Sequence, residues 1–266
     1  MPPPNLHDFL WQKVKQYNTK AFIHNDPICI PHAFTAKADI EIAGLFAALF
    51  AWGNRKAIIQ AASTLLAIMQ NQPYQFIMQW PHATETAKTK LQSFVYRTCN
   101  STDVLYLIEF LHHHYSSLQQ PSLETAFAPN TYTAEQTTEL ALNTFYKNLF
   151  DFALPEATPQ RTRKHIAAPV KKSACKRLNM YLRWMVRSDC NGVDFGLWKN
   201  IQPHQLVMPL DVHVVGVATR LGLLSKKPPS WQAAVHLTQY LKQLSPTDPV
   251  VFDYAFFGLG VEEKFR

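Results

Sequence analysis

An all-α fold is what this sequence predicts, on three observations. Apolar residues recur at the three- and four-residue spacing of a helix face through most of the chain. No run of alternating strands and turns occurs. Pro, Gly, Asn and Asp fall where helices start or stop. No internal repeat is present.

Residues 39–51 place Ile40, Ile42, Ala43, Leu45, Phe46, Leu49 and Phe50 with little polar interruption, the pattern of a helix buried on most sides. Trp52-Gly53-Asn54-Arg55 breaks the run. A second helix over 56–69 carries Ile58, Ile59, Leu65, Leu66 and Met69, and Asn71-Gln72-Pro73 stops it. Ser101-Thr102-Asp103 caps a helix over 104–115, with Leu107, Ile108 and Leu111 at helical spacing. Segment 119–138, rich in Pro, Ser and Thr, reads as surface loop or weak helix. A helix over 139–151 and a connector over 154–169 come next.

From Cys175 the pattern sharpens: Leu178, Tyr181, Leu182, Met185 and Val186 form one apolar stripe. Residues 189–202 read as loop with a short helical turn. Val212-His213-Val214-Val215 has strand propensity. Asp211 is nevertheless a preferred N-cap, and Val215, Ala218 and Leu221 continue at helical spacing, so this is a helix start, ended by Gly222. Two further helices span 231–244 and 249–259.

At 266 residues and 47% hydrophobic, the chain can bury the core of one large domain or two small ones. Its net charge of +7 is local. Arg161, Arg163, Lys164, Lys171, Lys172, Lys176, Arg177, Arg183 and Arg187 lie within 159–187 with no acid among them, and without those nine the chain carries −2. Such a patch fits binding to a phosphate backbone. No G-x-G-x-x-G or G-x-x-x-x-G-K-[ST] occurs, which argues against dinucleotide-binding and P-loop folds. Met1-Pro2-Pro3-Pro4 does not open a signal peptide. The longest apolar run, 42–52, is about half of the ~20 residues that span a bilayer. Cys29, Cys99, Cys175 and Cys190 form no C-x-x-C pair, which argues against a zinc knuckle or iron–sulfur cluster and fits reduced thiols. The expectation is a soluble cytoplasmic protein that does not engage membranes.

Lys176 sits at the start of the striped helix. There the helix dipole, Lys172 and Arg177 all disfavour a positive charge, which suits an amine nucleophile forming a Schiff base. The plainer reading is a phosphate-binding lysine. Asp211 caps its helix, and one carboxylate oxygen can cap while the other accepts a proton or stabilises a cationic sugar. His213, in the first turn, stands where a phosphate can dock. His112-His113-His114 is no metal site, because consecutive helix residues point about 100° apart. Trp52, Gly53, Asn54 and Arg55 make either an ordinary interhelical turn or a loop that fills the gap left by an extruded base. Asp253 and Phe257, at i and i+4, either read and stack on a base or belong to a half-buried core.

The stretch Ser173-Ala174-Cys175-Lys176-Arg177-Leu178-Asn179-Met180-Tyr181-Leu182-Arg183-Trp184-Met185 is followed, 35 residues on from Lys176, by Met208-Pro209-Leu210-Asp211-Val212-His213-Val214. These two segments resemble the helix-hairpin-helix (HhH-GPD) DNA glycosylase superfamily, in which a catalytic Lys opens a helix after the hairpin and a catalytic Asp heads a later one. Residues 43–54 resemble the helix before its DNA-wedge residue. Within the superfamily the chain is most similar to archaeal 8-oxoguanine DNA glycosylases, which share an Asp with an aromatic four residues later, here Asp253 and Phe257. The whole chain also resembles an uncharacterised bacterial domain family. The likeness covers roughly 37–260, with 171–215 its diagnostic part. The hairpin glycines are missing from Pro169-Val170-Lys171-Lys172-Ser173-Ala174, where the side chains of Lys171, Lys172 and Ser173 substitute for backbone contacts. The four-cysteine loop of endonuclease III relatives is also absent, so neither cofactor nor metal is expected.

The resemblance implies two helical subdomains with a DNA-binding cleft between them. One is a helical barrel over 35–187 that ends in the hairpin-like segment and the Lys176 helix. The other joins 1–34 to 188–266 and carries Asp211. The implied activity is that of a bifunctional DNA N-glycosylase/AP lyase, monomeric, excising an oxidised purine such as 8-oxoguanine from double-stranded DNA. Lys176 is its Schiff-base nucleophile and Asp211 its catalytic carboxylate. Asp253, Phe257 and Trp52 line the base pocket, and Asn54 or Trp52 fills the vacancy. Asn54, Arg55, Lys171, Lys172, Ser173, Arg177, Arg183 and His213 contact DNA. The alternative is a non-catalytic nucleic-acid-binding protein on the same fold; a third reading is a helical scaffold for acidic proteins.

Overall fold

The computed structural model describes residues 5–128, 132–133, 137–153, 157–225 and 227–265. In chain order the elements are α1 (Leu6–Tyr17), α2 (Lys20–His24), α3 (Lys37–Phe50), α4 (Arg55–Ile68), α5 (Pro73–Met78), α6 (Glu85–Gln92), β1 (Val95–Tyr96), β2 (Cys99–Asn100) and α7 (Ser101–His112). They continue with α8 (Glu124–Phe127), α9 (Thr138–Asp151), α10 (Lys176–Val186), α11 (Val212–Arg220), α12 (Trp231–Leu244) and α13 (Asp253–Phe257). The fold is mostly helical, as the periodicity predicts. Among the described residues no helix is long and apolar enough to cross a membrane, and the four cysteines are free.

Several local expectations are corrected. Asn100, not Ser101-Thr102-Asp103, caps α7, and Asp103 is the third helical residue, closing a capping box onto the Asn100 N–H at 3.0 Å. The helix read through residue 115 changes to a π-turn at His113–Ser117. The one over 249–259 is a 3-10 turn (Pro249–Phe252), then α13, then a π-turn at Gly258–Glu262. Segment 119–138 contains α8, with 129–131 and 134–136 outside the described residues; so are 154–156 of the expected connector. The antiparallel pair β1–β2 is a small hairpin that no alternating pattern announces.

Contacts group the chain into two compact units: Met1–His24, Tyr132–Leu142 and Ala167–Arg266 form the first, Asn25–Thr131 and Asn143–Ile166 the second. The sequence reading divides the chain elsewhere, at 34/35 and 187/188. The contacts instead join α10 to the segments C-terminal of it, and residues 25–34 to α3.

In the second unit α3 is buried along Ile40–Phe50, as the apolar run requires, and takes Glu41 inside with it. That carboxylate accepts hydrogen bonds from Tyr115 Oη (2.8 Å), Ser122 Oγ (2.5 Å) and the Leu123 N–H (3.1 Å). A buried anion is tolerated only with such partners. Asp103 does the same for the 3-10 turn Gln160–Lys164, accepting from Thr162 Oγ1 at 2.7 Å and pairing with Arg161 and His165.

In the first unit α1 packs on α13 and the turn after it. Trp11 meets Phe252 edge-on at 5.1 Å, and Tyr17 lies so close to Gly258 that an added Cβ would fall 2.1 Å from its ring. Tyr17 and Lys13 both donate to Glu263 at 2.6 Å.

The centre of this unit is ionic. Arg187, 1% exposed, donates to both oxygens of Asp248 (2.8–3.0 Å), to Asp194 and to Asp189 (3.4 Å). Arg183, 3% exposed, pairs with Asp253 at 2.5 Å and with Asp194 at 3.3 Å. Removing one partner strands buried charge. Arg187→Ala is therefore expected to destabilise the unit by about 3–5 kcal/mol. Urea unfolding followed by tryptophan fluorescence checks this, with Lys147→Ala, which breaks the exposed pair with Asp151, changing stability by less than about 0.5 kcal/mol.

Candidate functional site

The segment before α10 turns sharply without glycine. After the 3-10 turn Pro169–Lys171, Lys172 takes a left-handed conformation (φ 59°), and Cys175, the residue preceding the helix, takes another (φ 52°). Each costs a non-glycine residue of order 1 kcal/mol. The turn is held from within. Ser173 Oγ accepts from the Cys175 N–H at 3.3 Å, and the buried Asn179 side chain donates to the Ala174 carbonyl at 3.1 Å. Burial pushes the Cys175 thiol up to about 12, so it stays protonated.

Lys176 is the first residue of α10 and half-buried, with its Nζ 3.7 Å from Met180 Sδ. Among the described residues it forms no ion pair within 4 Å. Asp211 caps α11 as the sequence predicts: Oδ1 accepts from the His213 and Val214 N–H groups at 2.9 and 3.0 Å, and Oδ2 takes no hydrogen bond among the described residues. The buried run before it fixes its position, with the Met208 N–H bound to Thr238 Oγ1 at 3.0 Å.

Asp253 connects the two. Its pKa is raised by burial, and raised further by the Asp211 charge. Arg183 and Lys176 pull against both without cancelling them. Lys176 and Asp211 are therefore both felt at one buried carboxylate, and all three residues belong to the first unit. Asp189, Asp194, Asp248 and Asp253 share the two guanidiniums of Arg183 and Arg187.

Other expectations are met unevenly. Arg183 is corrected: it is buried in the ionic cluster and unavailable to phosphate. Arg187, counted in the basic patch, is buried with it. Of the same patch, Arg161 reaches Asp103 and the Thr98 carbonyl (2.8 Å), and Arg163 lies 4.5 Å over the Phe150 ring. Lys164, Lys171 and Lys172 are exposed or nearly so, and Ser173, Lys176 and Arg177 half-buried. Asp253 has one oxygen committed to Arg183, leaving Oδ1 as its open acceptor. Phe257 is half-buried beside Phe22, and His213 is half-buried with its Cβ 3.3 Å from where a Gly260 Cβ would be.

Trp52, Asn54 and Arg55 lie in the second unit. Asn54 caps α4 through Oδ1, Arg55 is its first residue, and Trp52 is half-buried with its carbonyl accepting from Tyr96 Oη at 2.9 Å. Sequence reasoning missed Arg97. At the hairpin tip, with φ 56°, it sets its guanidinium 4.9 Å over the Trp52 ring and against Gly53. Gly53, left-handed at φ 102°, leaves the room that this guanidinium occupies. Also missed was the i, i+4, i+7 spacing of Lys176, Met180 and Arg183, which aligns them on one face of α10, with Arg187 at i+11 as its C-cap. An open groove of about 640 Å³ between α4, α6 and β1 contains none of the predicted site residues.

A family model described as "Protein of unknown function (DUF2400)" matches residues 26–262. No curated protein and no solved structure matches the chain.

The capping bonds and the buried carboxylate can each be tested. Asp211→Ala is expected to cost about 1 kcal/mol of stability through the lost cap and Asp211→Asn only a few tenths, compared by thermal unfolding. Because the Asp253 pKa is higher folded than unfolded, its titration contributes stability fully below the unfolded value and loses it as pH rises through the folded one. Asp253→Asn is expected to remove that segment from a stability curve measured between about pH 3 and 7.

Proposed function

This chain belongs to the DUF2400 family, and for it we propose the activity of a bifunctional DNA N-glycosylase/AP lyase on a helix-hairpin-helix glycosylase-type fold. Its substrate is double-stranded DNA carrying an oxidised purine of the 8-oxoguanine kind, and it acts as a cytoplasmic monomer. One observation carries the reading. A lysine at the first position of a helix, outside any described ion pair, shares an electrostatic neighbourhood with a capping carboxylate that keeps one oxygen open.

Those two groups suit base excision through an amine. Lys176 Nζ adds to the sugar C1′ as the glycosidic C–N bond breaks and the base leaves with a proton. Asp211 stabilises the cationic sugar and accepts the proton that Lys176 loses. Opening of the sugar ring gives the Schiff base, and loss of a C2′ proton to solvent forms the C2′=C3′ double bond as the 3′ C–O bond breaks and releases phosphate. Phe257 and Asp253 Oδ1 receive the flipped base. Lys171, Lys172, Ser173, Arg177 and His213 contact the backbone. The fold-level part of this reading rests on the resemblance of residues 171–215.

A second reading, nucleic-acid binding without chemistry, draws on the solvent-facing Lys164, Lys171 and Lys172, which either reading uses. Borohydride added to the protein with duplex bearing 8-oxoguanine or an abasic site separates them. The expected result is a trapped covalent adduct, lost in Lys176→Gln with salt-sensitive binding retained. Asp211→Asn is expected to slow excision about 10²-fold or more. No adduct from the wild-type chain on either duplex leaves the binding reading standing; an adduct that persists in Lys176→Gln moves the nucleophile elsewhere.

A further inference from the structure

We propose that Phe22, on the short α2, is a positioning residue for Phe257, holding that ring at the angle against which a flipped nucleobase stacks. The inference rests on the glycosylase reading above and adds a residue to its base pocket. Phe22 meets two rings edge-on, Tyr254 at 5.3 Å and 78° and Phe257 at 5.1 Å and 73°. These rings differ in burial. Tyr254 is fully buried, donates to Asp194 at 2.8 Å, and lies 4.5 Å from the Arg183 guanidinium. Phe257, one helical turn beyond Asp253, is only half-buried.

Phe22 therefore ties a partly exposed ring to a fixed one. A half-buried phenylalanine samples several rotamers unless neighbours restrict it, and edge-to-face contact selects one. A ring already held in place loses less freedom when a base stacks on it. α2 is itself well placed for this. Its chain enters from Tyr17, packed on Gly258, and from Asn18, which donates to Asp189 at 2.7 Å; the Phe22 N–H is bound to the Thr19 carbonyl at 2.9 Å.

The test compares the full chain on two duplexes, one bearing 8-oxoguanine and one an abasic site, which has no base to stack. Phe22→Leu, which keeps apolar volume and removes the aromatic edge, is expected to slow single-turnover excision about 3- to 10-fold while abasic-strand cleavage changes less than about twofold. Phe22→Tyr is expected to restore excision. Urea midpoints of both variants accompany the rates. An equal loss on both duplexes, or no loss on either, overturns the positioning role and leaves the glycosylase reading intact. A wild-type chain that processes neither duplex overturns that reading and this inference together.

Discussion

Two buried arginines, one in the last turn of α10 and one capping it, need anions, and the first unit is arranged around that need. Arg183 and Arg187 are both nearly inaccessible, and a guanidinium does not shed its charge to escape burial. Their partners come from three places in the chain: Asp189 and Asp194 after α10, Asp248 before the turn Pro249–Phe252, and Asp253 at the start of α13. The loop carrying Asp194 also returns along α10, its Phe195 and Trp198 N–H groups bonding to the Trp184 and Met185 carbonyls at 2.8 and 2.9 Å. Fixing the arginines fixes the rotation of the helix, and with it the direction in which Lys176, on the same face, departs.

The cluster is unequal, with four carboxylates to two guanidiniums, and that inequality is where it becomes chemically interesting. A balanced buried pair holds its protonation over a wide pH range. Here the burial of Asp253 is only partly offset by Arg183, and Asp211 adds repulsion from nearby. Such a network contributes less to stability than well-packed apolar residues would. What it supplies is direction: each arginine meets carboxylates on different segments, so the segments cannot slide independently. Arg187, beside Asp194 and Asp248, is held more firmly in its charged form despite burial.

Local signals in the sequence translated well into structure, and signals that depend on distant partners did not. Asp211 was legible as a cap because its bonds reach only two and three residues ahead. The α3 run was legible because its burial is written in consecutive residues, yet Glu41 passed unremarked within it, since its hydrogen-bond donors Tyr115, Ser122 and Leu123 lie 74 to 82 residues away. Arg183 and Arg187 looked like phosphate ligands for the same reason. A stretch of 29 residues without acids is basic on paper, but its neutralising carboxylates arrive from Asp194, Asp248 and Asp253. α6 was invisible because its sequence is almost entirely polar, with only Ala87 and Leu91 turned inward. α1 buries just Leu10 and Val14, too sparse a stripe to stand out. The division into units was missed through these omissions, because the strongest packing of α13 is with α1, at the opposite end of the chain.

Glycine patterns are a proxy for backbone angles, and the turn before α10 shows the two parting. A left-handed residue is easiest for glycine, so a motif reader looks for glycine where the chain must turn. Here Lys172 and Cys175 take the left-handed angles instead. Two such residues within four positions cost of order 2 kcal/mol together, and an isolated peptide would relax. The Ser173 hydroxyl braces the turn locally, and the Asn179 side chain holds it by a bond that exists only once α10 is formed and buried. The strain at this turn is thus carried by the helix it precedes. The helix in turn is locked by the arginines at its far end, so the conformation around Lys176 depends on carboxylates two to three turns away.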